Sequence, residues 1–285
     1  MTRTRLLLAL PLVAVLAHPA AAQQSSWRTV DLSRQLRDTL PQRMRVQYGA
    51  GQVDVRGSDD ALLYAMHLRY DETRAAPLHR YDAEQRSSLL GLESRVSGLR
   101  TAAASGESGE LRLSLPRRVP LDLELELGGT QATLALGGLA LHSLRLECGA
   151  TEATVDFASA NRARMRDIEI NVGAAGLRAL HLGNANAEQM RVRGGVGAVD
   201  LDFGGDWTRD LAVETSLAIG KLTLRLPRDV GVRLEVQRVA AEFDHEGLIK
   251  RDDAWYSENW DRASYKLRIR AKTFFGAVEV LPSTH

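Results

Sequence analysis

The chain has 285 residues and a mass of 31.3 kDa, is 44% hydrophobic and 26% charged, and carries 37 basic against 36 acidic side chains. This composition is globular and excludes a wholly disordered chain, while the even charge balance excludes the basic footprint of a nucleic-acid-binding domain. One cysteine, Cys148, excludes a disulfide framework and a cysteine-based zinc site, and is read as a buried structural thiol.

Arg3 and Arg5 precede an apolar run from Leu6 to Ala17, and the small residues Ala20, Ala21 and Ala22 follow Pro19. This is the layout of a secretory signal peptide, so residues 1–22 are expected to be removed and the mature chain to begin at Gln23. The run of about 12 residues is too short for a bilayer core that needs about 20. No later stretch is longer, so no transmembrane span is expected after cleavage. The expected location is periplasmic or extracellular, and the mature chain is close to neutral.

Residues 23–110 are predicted to be an N-terminal β cap domain. Met44, Val46 and Tyr48, then Val53 and Val55, alternate with polar residues around Gly49 and Gly51, which reads as a hairpin. Ala61 to Tyr70 is a further apolar strand, and the Ser, Gly and Ala residues of 97–110 are a loop by composition.

Residues 111–250 are predicted to be repeats. Leu121, Leu123, Leu125 and Leu127 alternate with Asp122, Glu124 and Glu126, the period of a strand. A small residue followed by two alternating apolar positions recurs from Thr130, Thr151, Gly176, Gly197 and Gly220, at spacings of 21, 25, 21 and 23. A second strand precedes each, with apolar pairs at Leu123/Leu125, Leu144/Leu146, Ile168/Ile170, Met190/Val192, Leu211/Val213 and Leu234/Val236. Units that cannot bury their own apolar residues do so by stacking. The predicted fold class is therefore all-β, a β-helix-like solenoid of about 22-residue coils with β caps at both ends. A two-sheet antiparallel sandwich is the alternative that the same strand spacing permits.

Residues 251–285 are predicted to be a C-terminal β cap, carrying Trp255, Tyr256, Trp260 and Tyr265 before two last strands. Aromatic rings with polar edges bind sugars and proteins well, so Trp255, Tyr256 and Trp260 are the candidate glycan- or partner-binding residues. A hydrophobic lid on the last coil is the competing reading of the same rings.

The residues offer little else for chemistry. The seven histidines are scattered without metal-ligand spacing, and no nucleophile elbow or phosphate loop is present, so no catalytic residue, cofactor or metal is expected. Asp156, Asp200 and Asp202 fall at related repeat positions with Arg225 and could form the carboxylate face of a polysaccharide-acting β-helix enzyme. An ordinary charged outer face, which keeps a solenoid in solution, is the preferred reading of the same residues.

Tyr48 to Val55 with its two glycines, followed by Leu62, Leu63 and Tyr64, resembles the opening of bacterial toast-rack proteins. It is similar to the extracytoplasmic domain of LiaF-type cell-wall-antibiotic-response proteins and to adhesin-type β-solenoids. The polar, aromatic-containing stretch Trp255 to Ala263, followed by Phe275, Gly276, Val278 and Val280, resembles the close of that family. The resemblance covers most of residues 40–282 and implies an exported all-β solenoid of the bacterial envelope without known chemistry. The expected function is thus a non-catalytic structural or interaction protein, adhesin-like or stress-associated. Its partners would be an envelope protein or cell-wall glycan, not nucleic acid. A polysaccharide-binding module and a polysaccharide-acting enzyme are the alternatives.

Overall fold

The computed structural model describes residues 26–94 and 108–283; the expected signal peptide lies outside the described residues. The chain is all-β. The N-terminal strands are β1 (Trp27–Gln35), β2 (Gln42–Ser58), β3 (Leu62–Asp71), β4 (Ala75–Asp82), β5 (Ser87–Ser94) and β6 (Glu110–Pro116). The central ones are β7 (Pro120–Ala135), β8 (Ala140–Cys148), β9 (Glu152–Asp156), β10 (Met165–Leu180), β11 (Ala187–Asp202) and β12 (Leu211–Leu226). The last are β13 (Gly231–Phe243), β14 (Ile249–Arg251), β15 (Ala254–Tyr256) and β16 (Lys266–Pro282).

The predicted hairpin at Gly49 to Gly51 is instead one bent strand, β2, and the same bend recurs along the chain. In β7 the buried residues are Leu121, Leu123, Leu125 and Leu127, then Thr130, Ala132 and Leu134. In β12 they are Leu211, Val213, Thr215 and Leu217, then Leu222, Leu224 and Leu226, with Thr223 also buried between them. Side chains alternate strictly along a straight strand, so a change of parity marks an elbow where the chain turns and both arms face one core. Glycines at positive φ stand at these elbows, among them Gly51, Gly197, Gly220 and Gly276, a conformation other residues rarely adopt.

Bent strands stack in parallel register in the order β2, β7, β8 with β9, β10, β11, β12, β16, β13. This parallel pairing excludes the antiparallel sandwich as the architecture of these rungs. The connections between rungs close the core on a further side through the buried Leu136, Phe157, Leu182 and Phe203. Asparagines satisfy the backbone there. The Asn161 side chain accepts from Leu141 N at 2.8 Å and donates to Leu141 O at 2.9 Å. Asn184 donates to Phe157 O at 2.9 Å and accepts from Asp206 N at 2.7 Å. Buried polar backbone must find such partners.

At the N-terminal end, β2 is flanked by β5 along its first arm and β6 along its second, with β3 and β1 continuing antiparallel beyond β6. At the other end the spatial order departs from the chain order. The repeat spacing aligns Leu211/Val213 with Leu234/Val236, but β16 runs between β12 and β13, and its Ile269 pairs with Val213 on one side and Leu234 on the other, two residues off the aligned positions. β14 and β15 then form an antiparallel margin on β13.

Charge agrees with this order. Across the ladder, Arg45, Glu124, Arg145, Glu169, Arg191, Glu214, Arg270 and Glu235 stand opposite one another in register. The sign alternates at every rung. Arg145 lies 2.9 Å from Glu169, and Arg270 lies 3.6 Å from Glu214 and 3.4 Å from Glu235. Without β16, two glutamates would face each other. Arg270→Glu puts three carboxylates in a row, and like charges directly opposite cost up to about 1 kcal/mol each. A loss of about 1–2 kcal/mol is expected, seen as a melting point lower by about 3–6 °C, with Arg270→Ala falling in between.

Candidate functional site

The three aromatic residues singled out in the sequence lie on and after β15, and all are half-buried. Trp255 and Tyr256 are consecutive on a strand and so face opposite sides. Trp255 packs against the core, stacked on His245 with centroids 3.9 Å apart and edge-on to Phe243 at 5.4 Å. Tyr256 meets Trp260 edge-on at 5.4 Å. The structure therefore brings Tyr256 and Trp260 together and sets Trp255 apart from them. Cations gather on the pair: Lys266 Nζ is 5.2 Å and Arg268 5.7 Å from the Trp260 ring, and Arg251 is 5.6 Å from the Tyr256 ring. Arg233 Nε donates to the Tyr256 hydroxyl at 2.9 Å. A guanidinium over an aromatic face is attracted by the ring quadrupole, which orders both partners at the surface.

The carboxylates considered for catalysis are each held by a partner. Asp200 takes two hydrogen bonds from Arg225, from Nε at 3.0 Å and Nη2 at 3.2 Å. That bond, before any other influence, raises the Arg225 pKa above its usual value. Asp202 is buried opposite Arg225 and accepts from Gly204 N at 2.9 Å and Ser283 Oγ at 2.6 Å. Asp156 lies two rungs away, 2.7 Å from His181 Nδ1. The structure thus gathers Asp200, Asp202 and Arg225 and leaves Asp156 elsewhere. Among the described residues no group of three or more His, Cys, Asp and Glu side chains is placed to hold a metal ion.

A shallow groove of about 790 Å³ crosses the elbows of the first rungs. Its floor is backbone, at Gly49, Gly128, Gly149, Gly173 and Gly195 on successive strands. A Cβ on Gly128 would lie 2.1 Å from Gly49 O, and one on Gly195 2.5 Å from Gly173 O. Close approach of one rung to the next requires the glycines. One side of the groove is a polar row in register, Gln47, Glu126, Glu147, Asn171 and Arg193, acidic at one part and basic at the far end. Gln47 Nε2 donates to Glu126 at 2.7 Å. Such a surface offers hydrogen bonds at the rung spacing of about 4.8 Å and suits an extended polar chain. Gly128, Gly149 and Gly195 each stand two residues before a repeat anchor and Gly173 three, a recurrence in the sequence that places them on one face.

Cys148 lies at the groove as a buried thiol, as expected, and burial pushes its pKa up to about 11. Its thiolate fraction, and hence its nucleophilicity, is small at neutral pH.

Residues 22–177, just over half of the chain, match the family described as the N-terminal domain of toast_rack, DUF2154. Among solved structures the chain is similar to a candidate cell-adhesion protein from Clostridium sporogenes ATCC 15579, at 14% identity and a TM-score of 0.47, over 90% of this chain and 100% of that one. A candidate adhesin from Bacteroides fragilis NCTC 9343 is similar at 9% identity and a TM-score of 0.40, over 90% and 98% of the two chains. No curated protein matches the chain.

Proposed function

The chain belongs to the toast-rack family, and from that premise we propose that it is an exported, non-catalytic structural or interaction protein of the bacterial cell envelope, adhesin-like or stress-associated. It presents the rigid face of a β-solenoid with coils of about 22 residues to an envelope protein or to cell-wall glycan. The observation that carries this reading is the ladder itself. Eight rungs stand in register with charges of alternating sign, so that outward side chains are held in rows rather than on mobile loops. Rigid presentation lowers the ordering cost that association otherwise incurs. The pairing of Asp156, Asp200 and Asp202 with neighbours supports a structural use of these carboxylates.

A mature chain beginning at Gln23 is expected to retain a discrete envelope protein from detergent-solubilised envelope, or intact cell-wall glycan. Release of shortened glycan would overturn the non-catalytic reading, and retention of neither would remove the interaction role. Glycan capture through the aromatic residues is a second reading, favoured by the half-exposed Tyr256 and Trp260 among four cations. Trp260→Ala then loses glycan at an unchanged melting point. A lowered melting point with glycan retained assigns the ring to the margin of the fold.

A further inference from the structure

Beyond that role, we propose that the elbows of the last four rungs form a docking surface for an anionic lipid membrane. In register, Val196 stands opposite Ile219, Ile219 opposite Phe275, and Phe275 opposite Ala240. Phe274 and Val239 precede two of these positions. Val196, Ile219, Phe274, Phe275 and Val239 are each between 48 and 73% exposed. At the matching positions of earlier rungs the chain carries Ala50, Gly129 and Ala174. One ladder thus changes from a glycine-floored groove to an apolar ridge. Both arms of each rung face the core, so the elbow between them is an outer corner and the ridge is convex. Contiguous apolar surface of this kind is costly in water and marks an interaction site.

Charge beside the ridge indicates the partner. The adjacent row reads Arg193, Ser216, Lys272 and Gln237, and the next position sets Arg238 opposite Thr273. These positions carry three cations and no acid, whereas one step farther out every cation faces a glutamate. Arg193 reaches back to Glu169 at 3.0 Å, but Arg238 and Lys272 are exposed with uncharged partners across the rungs. On the far side Lys221, 2.8 Å from Glu279, stands in the row that ends at Glu242. A second copy laid ridge to ridge in the antiparallel sense would bring basic row against basic row, which is repulsive, and in the parallel sense would set the basic row against the mixed row of Lys221 and Glu242. A folded protein partner would have to supply a complementary groove, while a bilayer deforms around a convex ridge. Phenylalanine side chains enter the acyl boundary, and each basic residue near an anionic surface adds attraction.

Flotation of the mature protein with vesicles tests this. The protein is expected to float with an equimolar mixture of phosphatidylglycerol and phosphatidylcholine and not with phosphatidylcholine alone. Phe274→Ser with Phe275→Ser should weaken partition about tenfold or more, and Arg238→Glu with Lys272→Glu by about tenfold, at an unchanged melting point. Val239→Lys, at the most exposed position, gives the same loss should the phenylalanine variant fail to fold. Absence of flotation with the mixed vesicles, or equal flotation with both kinds, overturns the proposal. So does a concentration-dependent dimer in velocity sedimentation that the phenylalanine variant abolishes, which assigns the ridge to a second copy.

Discussion

Ending the chain at Ser264 is expected to abolish cooperative unfolding altogether, although the deleted residues follow the last sequence repeat. β16 buries Leu267, Ile269, Ala271, Thr273, Val278 and Val280 and pairs with β12 on one side and β13 on the other. Fully burying a large aliphatic side chain is worth about 1.5–3 kcal/mol. Four such residues together represent on the order of the whole stability of a domain, about 5–15 kcal/mol. The deletion also leaves Glu214 and Glu235 as the groups that would face each other if β12 and β13 closed the gap. Circular dichroism and calorimetry on the shortened chain are the measurements. A single sharp transition at the full-length midpoint would show that β16 is dispensable and refute its place in the ladder.

Gly220→Val should be nearly as damaging from a single site. Gly220 has φ of 140°, and a Cβ there would lie 1.8 Å from the carbonyl oxygen of Gly197 on the neighbouring rung. The rung spacing of about 4.8 Å is set by hydrogen bonds along both arms, so the backbone cannot withdraw from the clash. A loss of at least about 3–5 kcal/mol is expected from combined clash and strain. Gly247→Ala is the control, because Gly247 also has positive φ, 76°, but meets nothing within 4 Å. It should cost about 1 kcal/mol, the penalty of the left-handed backbone alone. Equal losses at the two sites in denaturant titrations would mean that close stacking of elbows is not what the glycine at 220 serves.

The aromatic candidates illustrate how far residue type reaches. Trp255, Tyr256 and Trp260 were legible as a group because they are close in the chain and polar at their edges. Alternation along β15 then divides them, with Trp255 toward Phe243 and the core and Tyr256 toward Trp260 and its cations. The apolar ridge had no comparable signal. Val196, Ile219 and Phe275 lie tens of residues apart and read individually as ordinary strand residues. Only the register of β11, β12 and β16 makes them neighbours.

What the sequence by itself determined is the rung. Alternation, small residues between the alternating stretches and a return near 22 residues dictate short strands in pairs, each with an inward face, because side-chain parity is a local property of the backbone; that most pairs are two arms of one bent strand appears only in the structure. What only the tertiary structure decided is which edge each rung meets. The 23-residue spacing from Leu211 to Leu234 continues the repeat as regularly as any other, yet β16 lies between β12 and β13. Spacing records how much chain one rung consumes, while pairing is settled between edges that are free to choose any strand of matching apolar pattern. At β12 and β13 the buried residues of β16 fill the place and charge agrees with it, since Arg270 stands between Glu214 and Glu235, which would otherwise face each other.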